Sequence, residues 1–461
     1  MTTIQQHYNP LRPHVAGPLP GPRPAELLAR QERRESNART YPRHLPVAIE
    51  SGLGPYVWDV DENVFIDFLS GAGVLSLGRS HPELVATVAE QLGRLTHGLD
   101  FPTPAKDAFL DAQLSILPPG LAEKMKVHFC GPAGENAVDA AIKVCKTATG
   151  RGDVIAFQCG FHGSSAAAMA VSGLVDQKAP VGNGLPGVHF FPYSYCSRCP
   201  LGLDPATCST NCATYLEMSL KDDHGGIALP AAVILELVQG EGGVVPATYE
   251  FVRKARAVTS ELDIPLIVDE VQTGGRRTGT WFAFEQYGIE PDVIVASKAL
   301  SGIGLPVAII VYNRRLDTWQ PGAHTGTFRG NQLAFAAGAA TVAIFQRDDV
   351  LANVRARGSQ IEGLLGVLAG NSWVREVRGR GLMWGVEMAD PATGAPAGEL
   401  ARSIQRTALD KGLILECGGR NDAVVRMLPP LNVSAEVVAM ACHLLLEAIQ
   451  ERTALAGTAG R

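Results

Sequence analysis

The sequence predicts an α/β protein, a mostly parallel sheet covered by helices with a smaller α+β domain beside it. Between Ser80 and Arg347, short unbroken β-branched runs recur: VIAF (154–157), AAVILE (231–236), PLIVDE (265–270), DVIVAS (292–297) and PVAIIVY (306–312). Apolar runs without alternation mark strands buried on both faces, and helices above and below a parallel sheet provide that burial. Stretches compatible with helices separate them, the clearest being 134–149 after VHFC (127–130).

Residues 1–35 are rich in proline and polar side chains, which predicts an extended arm lying on a neighbouring chain. From Tyr56, YVWDVDENVFIDF alternates apolar and polar residues about an acidic-Asn turn, the pattern of a hairpin, and GAGVLSLG (71–78) follows as a loop. After Arg347 come an amphipathic stretch, strand signals at VREVRG (374–379) and WGVEM (384–388), and a helix. LILEC (413–417) and VVRML (424–428) then precede a last helix, whose end TALAGTAGR is expected to fray. The predicted organisation is an arm and hairpin at 1–79 completing a small domain, a large domain at 80–347, and the rest of the small domain at 348–461.

Hydrophobic residues make up 46% of the 461 and charged residues 19%, with a net charge of -6, so the balance is that of a soluble globular protein. It gives no reason to expect nucleic acid as a partner. No apolar run approaches the ~18 residues of a membrane helix, and the N-terminus has no basic start followed by an apolar core. Nine cysteines without a secretion signal predict reduced thiols and a cytoplasmic location.

The strongest chemical signal is PLIVDEVQTG, followed 29 positions beyond Asp269 by Lys298 in VIVASKALSGIG. A buried strand ending in two carboxylates needs a positive partner or a function, and ligands in such sheets sit at the carboxyl ends of strands. A pyridoxal enzyme needs this pair: a lysine that carries the cofactor and moves a proton, and an aspartate that keeps the pyridine nitrogen protonated. Taken singly, Asp269 as a helix cap and Lys298 as a surface lysine remain open alternatives.

DEVQTGGRRTG and SKALSGIGLP resemble the class III aminotransferases, and GPAGENAVDAAIK, FHG, ILELVQGEGG and HTGTFRGNQLA appear in the order that family uses. The resemblance runs from about Arg34 to Leu431, and PYSYCSRCPLGL and RMLPPL bring the sequence nearest to the diaminobutyrate:2-oxoglutarate branch. It implies a fold type I pyridoxal 5'-phosphate enzyme, a homodimer with shared active sites, and an amino donor and a 2-oxo acid as substrates.

The resemblance also assigns roles. Lys298 and Asp269 are catalytic. Gly134 and Glu135 would hold the cofactor phosphate through main-chain N–H groups at a helix start, with the Glu135 side chain turned away. The commoner Gly-Ser of the family is absent there, so no hydroxyl contact is implied. Phe161 and Val271 would flank the pyridine ring, Gln272 would bond its 3-oxygen or His162, and His162 would support the groups around the cofactor rather than act as the catalytic base, which Lys298 already supplies. Thr327 would reach the phosphate of the other subunit, with helix capping near Gly330 as an alternative. Glu241 would pair with Arg426, which is freed to bind the α-carboxylate of 2-oxoglutarate. Independently of the resemblance, the small residues of the loop Ser70 to Leu75, Ala72 among them, would let a substrate approach the cofactor and line its pocket, with a tight turn after the hairpin as the open alternative.

Cys196, Cys199, Cys208 and Cys212 form C-x2-C-x8-C-x3-C, equally compatible on spacing with a structural zinc or a loop of free thiols, and no metal is assigned. A non-enzymatic metal-binding protein would leave the other motifs unexplained. A racemase or decarboxylase on the same fold would use Lys298 and Asp269 alike, and the Glu241 and Arg426 pair favours transamination. There is no P-loop, and GAGVLS lacks the final glycine of a dinucleotide loop. FHG is followed by Ser164, where 4-aminobutyrate aminotransferases carry an arginine for the distal carboxylate. The expected donor is therefore L-2,4-diaminobutyrate, reacting at its terminal amine, with ornithine or a related ω-amine as the alternative.

Overall fold

The computed structural model describes residues 11–181 and 184–459. The N-terminal strands are β1 (Ile49–Leu53), β2 (Tyr56–Asp59) and β3 (Val64–Asp67). The central segment contributes β4 (Met125–Phe129), β5 (Val154–Phe157), β6 (Val188–Phe191), β7 (Ala232–Leu235), β8 (Val238–Gln239), β9 (Val245–Pro246), β10 (Leu266–Asp269), β11 (Val293–Ala296) and β12 (Ile309–Asn313). The last segment adds β13 (Val374–Arg380), β14 (Met383–Met388), β15 (Leu413–Ile414), β16 (Glu416–Gly418) and β17 (Val424–Met427). The chain divides into two units, Leu84–Ile344 and Met1–Glu83 with Phe345–Arg461.

In the Leu84–Ile344 unit, seven strands form one sheet in the order β4-β12-β11-β10-β7-β5-β6. All run parallel except β12, which is antiparallel to both β11 and β4. The apolar runs pack as their lack of alternation requires. Val233 and Leu235 face one cluster, with Phe109, Phe157 and Phe251, while Ala232 and Ile234 face another, with Val138, Ala141 and Val144 of the helix Gly134–Thr149. Burying both faces of a strand removes every side chain from water, roughly 1.5–3 kcal/mol for each Val, Ile or Leu. Gly150, at φ 68°, ends that helix in the left-handed conformation that favours glycine. Thr248 caps the helix Tyr249–Glu261 by accepting from the N–H of Phe251. The edge strand β6 was not read from VHFF, a run too short to stand out between Gly187 and Pro192.

In the other unit, β1-β2-β3-β15 form one sheet and β13-β14-β17-β16 a second. The hairpin at 56–67 is present, with Tyr56 opposite Ile66. LILEC proves to be two strands, β15 parallel to β3 and β16 antiparallel to β17. The helix Ala435–Ala459 packs on the helices Val350–Leu365 and Gly398–Asp410.

Two expectations are corrected here. The N-terminal stretch is not an extended arm throughout, because Pro22–Arg34 is a helix. Pro22 and Pro24 sit in its first turn, where a missing N–H costs nothing, and Arg33 and Arg34 in its last turn suit the helix dipole. The preceding stretch lies on the hairpin of its own unit, with His14 paired to Val64 and the N–H of Leu11 donating to the Tyr56 hydroxyl at 2.8 Å. Residues 1–10 of the expected arm lie outside the described residues. At the other end the last helix runs to Ala459, within the stretch expected to fray, and residues 460–461 of that stretch lie outside the described residues.

Candidate active site

Asp269 is the last residue of β10, and its strand runs beside β11 with Asp269 opposite Val295. Lys298 therefore leaves the same edge of the sheet one strand away. Its backbone is left-handed, at φ 41°, in the 3₁₀ turn Lys298–Ser301. A non-glycine residue in that region is strained by about 1–2 kcal/mol and persists where its surroundings hold it. Gly275 provides part of the hold, since a Cβ there would lie 2.6 Å from that of Ala299.

The helix Gly134–Thr149 begins at the same edge. A Cβ on Gly134 would lie 2.9 Å from Val271 Cγ1 and 3.6 Å from the Cβ of Ser297, so glycine lets the helix start, the DEVQ turn and the lysine turn meet. Among the described residues nothing accepts from the N–H groups of Gly134 or Glu135. The Glu135 carboxylate turns to the loop after FHG, accepting from the N–H of Ser164 at 2.8 Å and of Ser165 at 3.2 Å. Phe161, Val271 and Gln272 are half-buried on the segments that converge there.

A buried chain of charge lies behind these residues. His162 Nδ1 is 2.7 Å from Asp269 Oδ2, and Asp269 Oδ1 accepts from the N–H of Val271 at 3.0 Å. Glu236, at the end of β7, accepts from the N–H of Phe161 at 2.8 Å and of Gly240 at 3.0 Å, one on each oxygen. Burial pushes the Glu236 carboxyl up to about 7, against the pull of His162 and with a further push from Asp269. Burial works against a charged imidazole at His162, but the hydrogen bond and charge of Asp269 and the charge of Glu236 outweigh it and raise His162 above its ordinary value. No role for Glu236 followed from the sequence; its signal there is an acidic residue closing the apolar run AAVIL.

Glu270 is a second buried carboxyl, bonded to the Thr273 hydroxyl and accepting from the N–H of Phe284 at 3.0 Å. Burial lifts it to about 7. Because its folded value is raised, its contribution to stability is complete below the ordinary carboxyl range and is lost as pH rises through about 7. Glu270→Gln keeps both bonds, since the amide oxygen accepts from Phe284 and the amide nitrogen can donate to Thr273. Denaturant unfolding from pH 4.5 to 8 should show the variant gaining on the parent by on the order of 2–3 kcal/mol. A pH-independent difference would show that Glu270 is an ordinary carboxylate.

The other expected site residues are Thr327, Glu241, Ala72 and Arg426. Thr327 is exposed in the 3₁₀ turn Thr327–Gly330, its carbonyl bonded to His97 Nε2 at 2.7 Å. It does not cap the next helix: Asn331 does, with Oδ1 accepting from the N–H of Ala334 at 3.2 Å. Glu241 is half-buried between β8 and β9. Ala72 and Arg426 belong to the other unit. Ser70, Gly71, Ala72 and Gly73 all have positive φ, from 47° to 92°, so this loop is a left-handed turn that only the glycines adopt freely. Arg426 is fully buried and ion-paired with Glu416 at 2.8 Å, a partner the sequence reading missed. The sulfurs of Cys196, Cys199, Cys208 and Cys212 do not form a group tight enough to hold a metal, although Cys196 and Cys208 stand near enough to Cys212 to add to the upward push that burial gives its thiol. Among the described residues the group with ligand atoms close enough for a metal is the exposed Asp222, Asp223 and His224.

The class III aminotransferase family (Aminotransferase class-III) matches residues 37–449, most of the chain. The chain belongs to the class III aminotransferases. It is 50% identical over 420 residues to a diaminobutyrate–2-oxoglutarate aminotransferase of Rhizobium meliloti, covering 89% of each chain. It is 45% identical over 418 residues to one of Haemophilus influenzae, covering 88% of this chain and 91% of the relative. A crystal structure of the omega transaminase from Pseudomonas jessenii in complex with PMP superposes with a TM-score of 0.86 at 25% identity, covering 93% of this chain and 98% of that one. The protein is thus a fold type I, pyridoxal-phosphate-dependent aminotransferase. Its residues fit that cofactor: two unbonded N–H groups stand at a helix start, where an added Cβ would collide with Val271, beside a buried carboxylate and a lysine at adjacent strand ends.

Proposed function

We propose that this aminotransferase moves the terminal amino group of L-2,4-diaminobutyrate to 2-oxoglutarate, or the reverse, in a cytoplasmic homodimer. The observation that carries the site assignment is the placement of Asp269 and Lys298 at the carboxyl ends of neighbouring parallel strands, with His162 bonded to the aspartate. Bound pyridoxal phosphate supplies an electron-accepting ring. Lys298 carries it covalently and transfers the proton at the reacting carbon, while Asp269 holds a proton on the ring nitrogen. Gly134 and Glu135 offer main-chain N–H groups to the phosphate, Phe161 and Val271 flank the ring, and Gln272 bonds its 3-oxygen. Ala72 lines the substrate pocket. Glu241 and Arg426 exchange partners so that one site takes an amine-bearing donor and then a dicarboxylate.

The homodimer is supported by an apolar surface around Thr327. Phe328, beside it, is 71% exposed and Phe101 is 67% exposed, with Leu92, Leu95 and Leu99 also exposed. The N–H of Gly98 donates to the carbonyl of Gly330 at 2.9 Å and the His97 ring lies edge-on to that of Phe328, so Phe328 stands beside the segment that carries Leu95, Leu99 and Phe101. A patch of this kind marks an interface, and it would place Thr327 where a second subunit could receive it. The cytoplasmic assignment is supported by nine free cysteines.

The donor is supported by the relatives at 50% and 45% identity and by Ser164. Ser164 offers no cation to a distal carboxylate, and the Glu135 carboxylate already occupies its N–H. Competition kinetics with 2-oxoglutarate should favour 2,4-diaminobutyrate over 4-aminobutyrate by at least about tenfold in kcat/KM, ~1.4 kcal/mol of differential transition-state binding. Equal or better use of 4-aminobutyrate would overturn this choice of donor.

A further inference from the structure

The helix start at Gly134 and the loop that carries Phe161 and His162 are separate segments, and one side chain ties them together. Glu135 stands in the first turn of the helix Gly134–Thr149, and a single carboxylate oxygen, Oε2, accepts from the N–H of Ser164 at 2.8 Å and of Ser165 at 3.2 Å. One turn further along, Asp139 accepts from the Ser165 hydroxyl at 2.9 Å and from the N–H of Ala168 at 3.1 Å. The close approach depends on Gly163, at φ 125°, where a Cβ would lie 2.3 Å from that of Glu135.

Holding the loop does not require a charge. Both N–H groups donate to the same oxygen, so a neutral amide in that place would hold them as well. The carboxylate instead carries a cost, because like charges at i and i+4 of a helix repel. Burial holds the Asp139 carboxyl above its ordinary value, and the charge of Glu135 adds to that push. Among the described residues Glu135 bonds to these N–H groups and to no cation. Its negative charge therefore acts on its surroundings without a partner to neutralise it, and those surroundings include the main-chain N–H groups of Gly134 and of Glu135 itself.

We infer that Glu135 is a positioning residue for the cofactor, whose carboxylate clasps the loop after Phe161 to the helix start while its charge lowers the affinity for the phosphorylated cofactor. This rests on the proposed placement of the phosphate at the N–H groups of Gly134 and Glu135. A helix start favours an anion, and a carboxylate fixed in the same first turn takes up part of that favourable potential before the phosphate arrives. The consequence is an exchangeable cofactor. The protein should be recovered partly without it and regain activity when pyridoxal phosphate is added.

The test titrates the full-length protein, freed of cofactor by dialysis, with pyridoxal phosphate and with pyridoxal, which lacks the phosphate, following the cofactor absorbance. Glu135→Gln keeps both bonds on its amide oxygen. It should lower the dissociation constant for pyridoxal phosphate by about tenfold and leave that for pyridoxal unchanged. The difference from the parent should shrink in about 1 M salt, where the screening length is ~3 Å. Glu135→Ala, which loses the clasp as well as the charge, should bind pyridoxal phosphate less tightly than Glu135→Gln. A merely structural role would move neither the salt dependence nor the contrast with pyridoxal. Borohydride trapping and peptide mapping of the same samples separate this role from the site assignment. With the label on Lys298, an equal or higher dissociation constant in Glu135→Gln, an equal gain for pyridoxal, or a difference indifferent to salt would overturn the role of the charge. Equal binding by Glu135→Gln and Glu135→Ala would overturn the clasp. Label on another lysine would overturn the proposed site itself, and the role of Glu135 with it.

Discussion

Replacing Lys298 by alanine is expected to lower turnover by roughly ten-thousand-fold or more, since one side chain supplies both the covalent attachment and the proton transfer. The side chain leaves the sheet directly after β11, and its backbone is fixed in a left-handed turn against which Gly275 packs. A surface lysine would not need that strain. The absorbance of a lysine-linked cofactor should disappear in the variant while the far-ultraviolet circular dichroism is kept. Borohydride reduction of the loaded parent enzyme, followed by peptide mapping, should place the cofactor on the peptide containing Lys298. Label on any other lysine would overturn the assignment.

The central sheet was legible because its strands are buried on both faces, so that burial writes the same apolar text at each of them. Strand direction was not legible in that way. PVAIIVY reads like DVIVAS, yet β12 runs antiparallel and β11 parallel, because side-chain burial is the same for either. The N-terminal helix was missed because proline was counted as a breaker when it sat in the one turn that tolerates it. Conversely, LILEC read as one strand because the change of sheet at Leu415 leaves no mark in composition.

Within the candidate site, motif residues could be named from the sequence, and the pairings between them could not. Asp269 announces itself as a carboxylate at a strand end, but its bond to His162 joins positions 107 residues apart and follows only from the fold. The same is true of Glu236, whose two oxygens accept from loops after two different strands. Glu416 and Arg426 are ten residues apart, and they face each other only because the turn between them brings β16 back antiparallel to β17. Thr327 was legible as a motif residue, whereas the capping alternative failed because Asn331 is closer to the first helical N–H groups.

Asp269→Asn should leave the fold intact and slow turnover by about a hundred- to thousand-fold, the scale of losing one preorganised electrostatic partner. Both carboxylate oxygens are in use, one accepting from the N–H of Val271 and the other bonded to His162 Nδ1. An asparagine can accept on one side only, so its nitrogen faces either a main-chain N–H or an imidazole that must change tautomer. It also removes the hydrogen bond and negative charge that hold His162 above its ordinary value, leaving the charge of Glu236 to act on that imidazole. A neutral amide cannot hold a proton on the ring nitrogen as a carboxylate does, so the loss should fall on proton abstraction and less on substrate affinity. Single-turnover measurements with the cofactor bound separate these effects, with kcat falling while KM changes little. Glu236→Gln provides the contrast: neither amide orientation can accept from both Phe161 and Gly240, so that variant should lose cofactor affinity and stability together with rate. Near-normal single-turnover rates in Asp269→Asn with cofactor bound would show that another group partners the ring nitrogen.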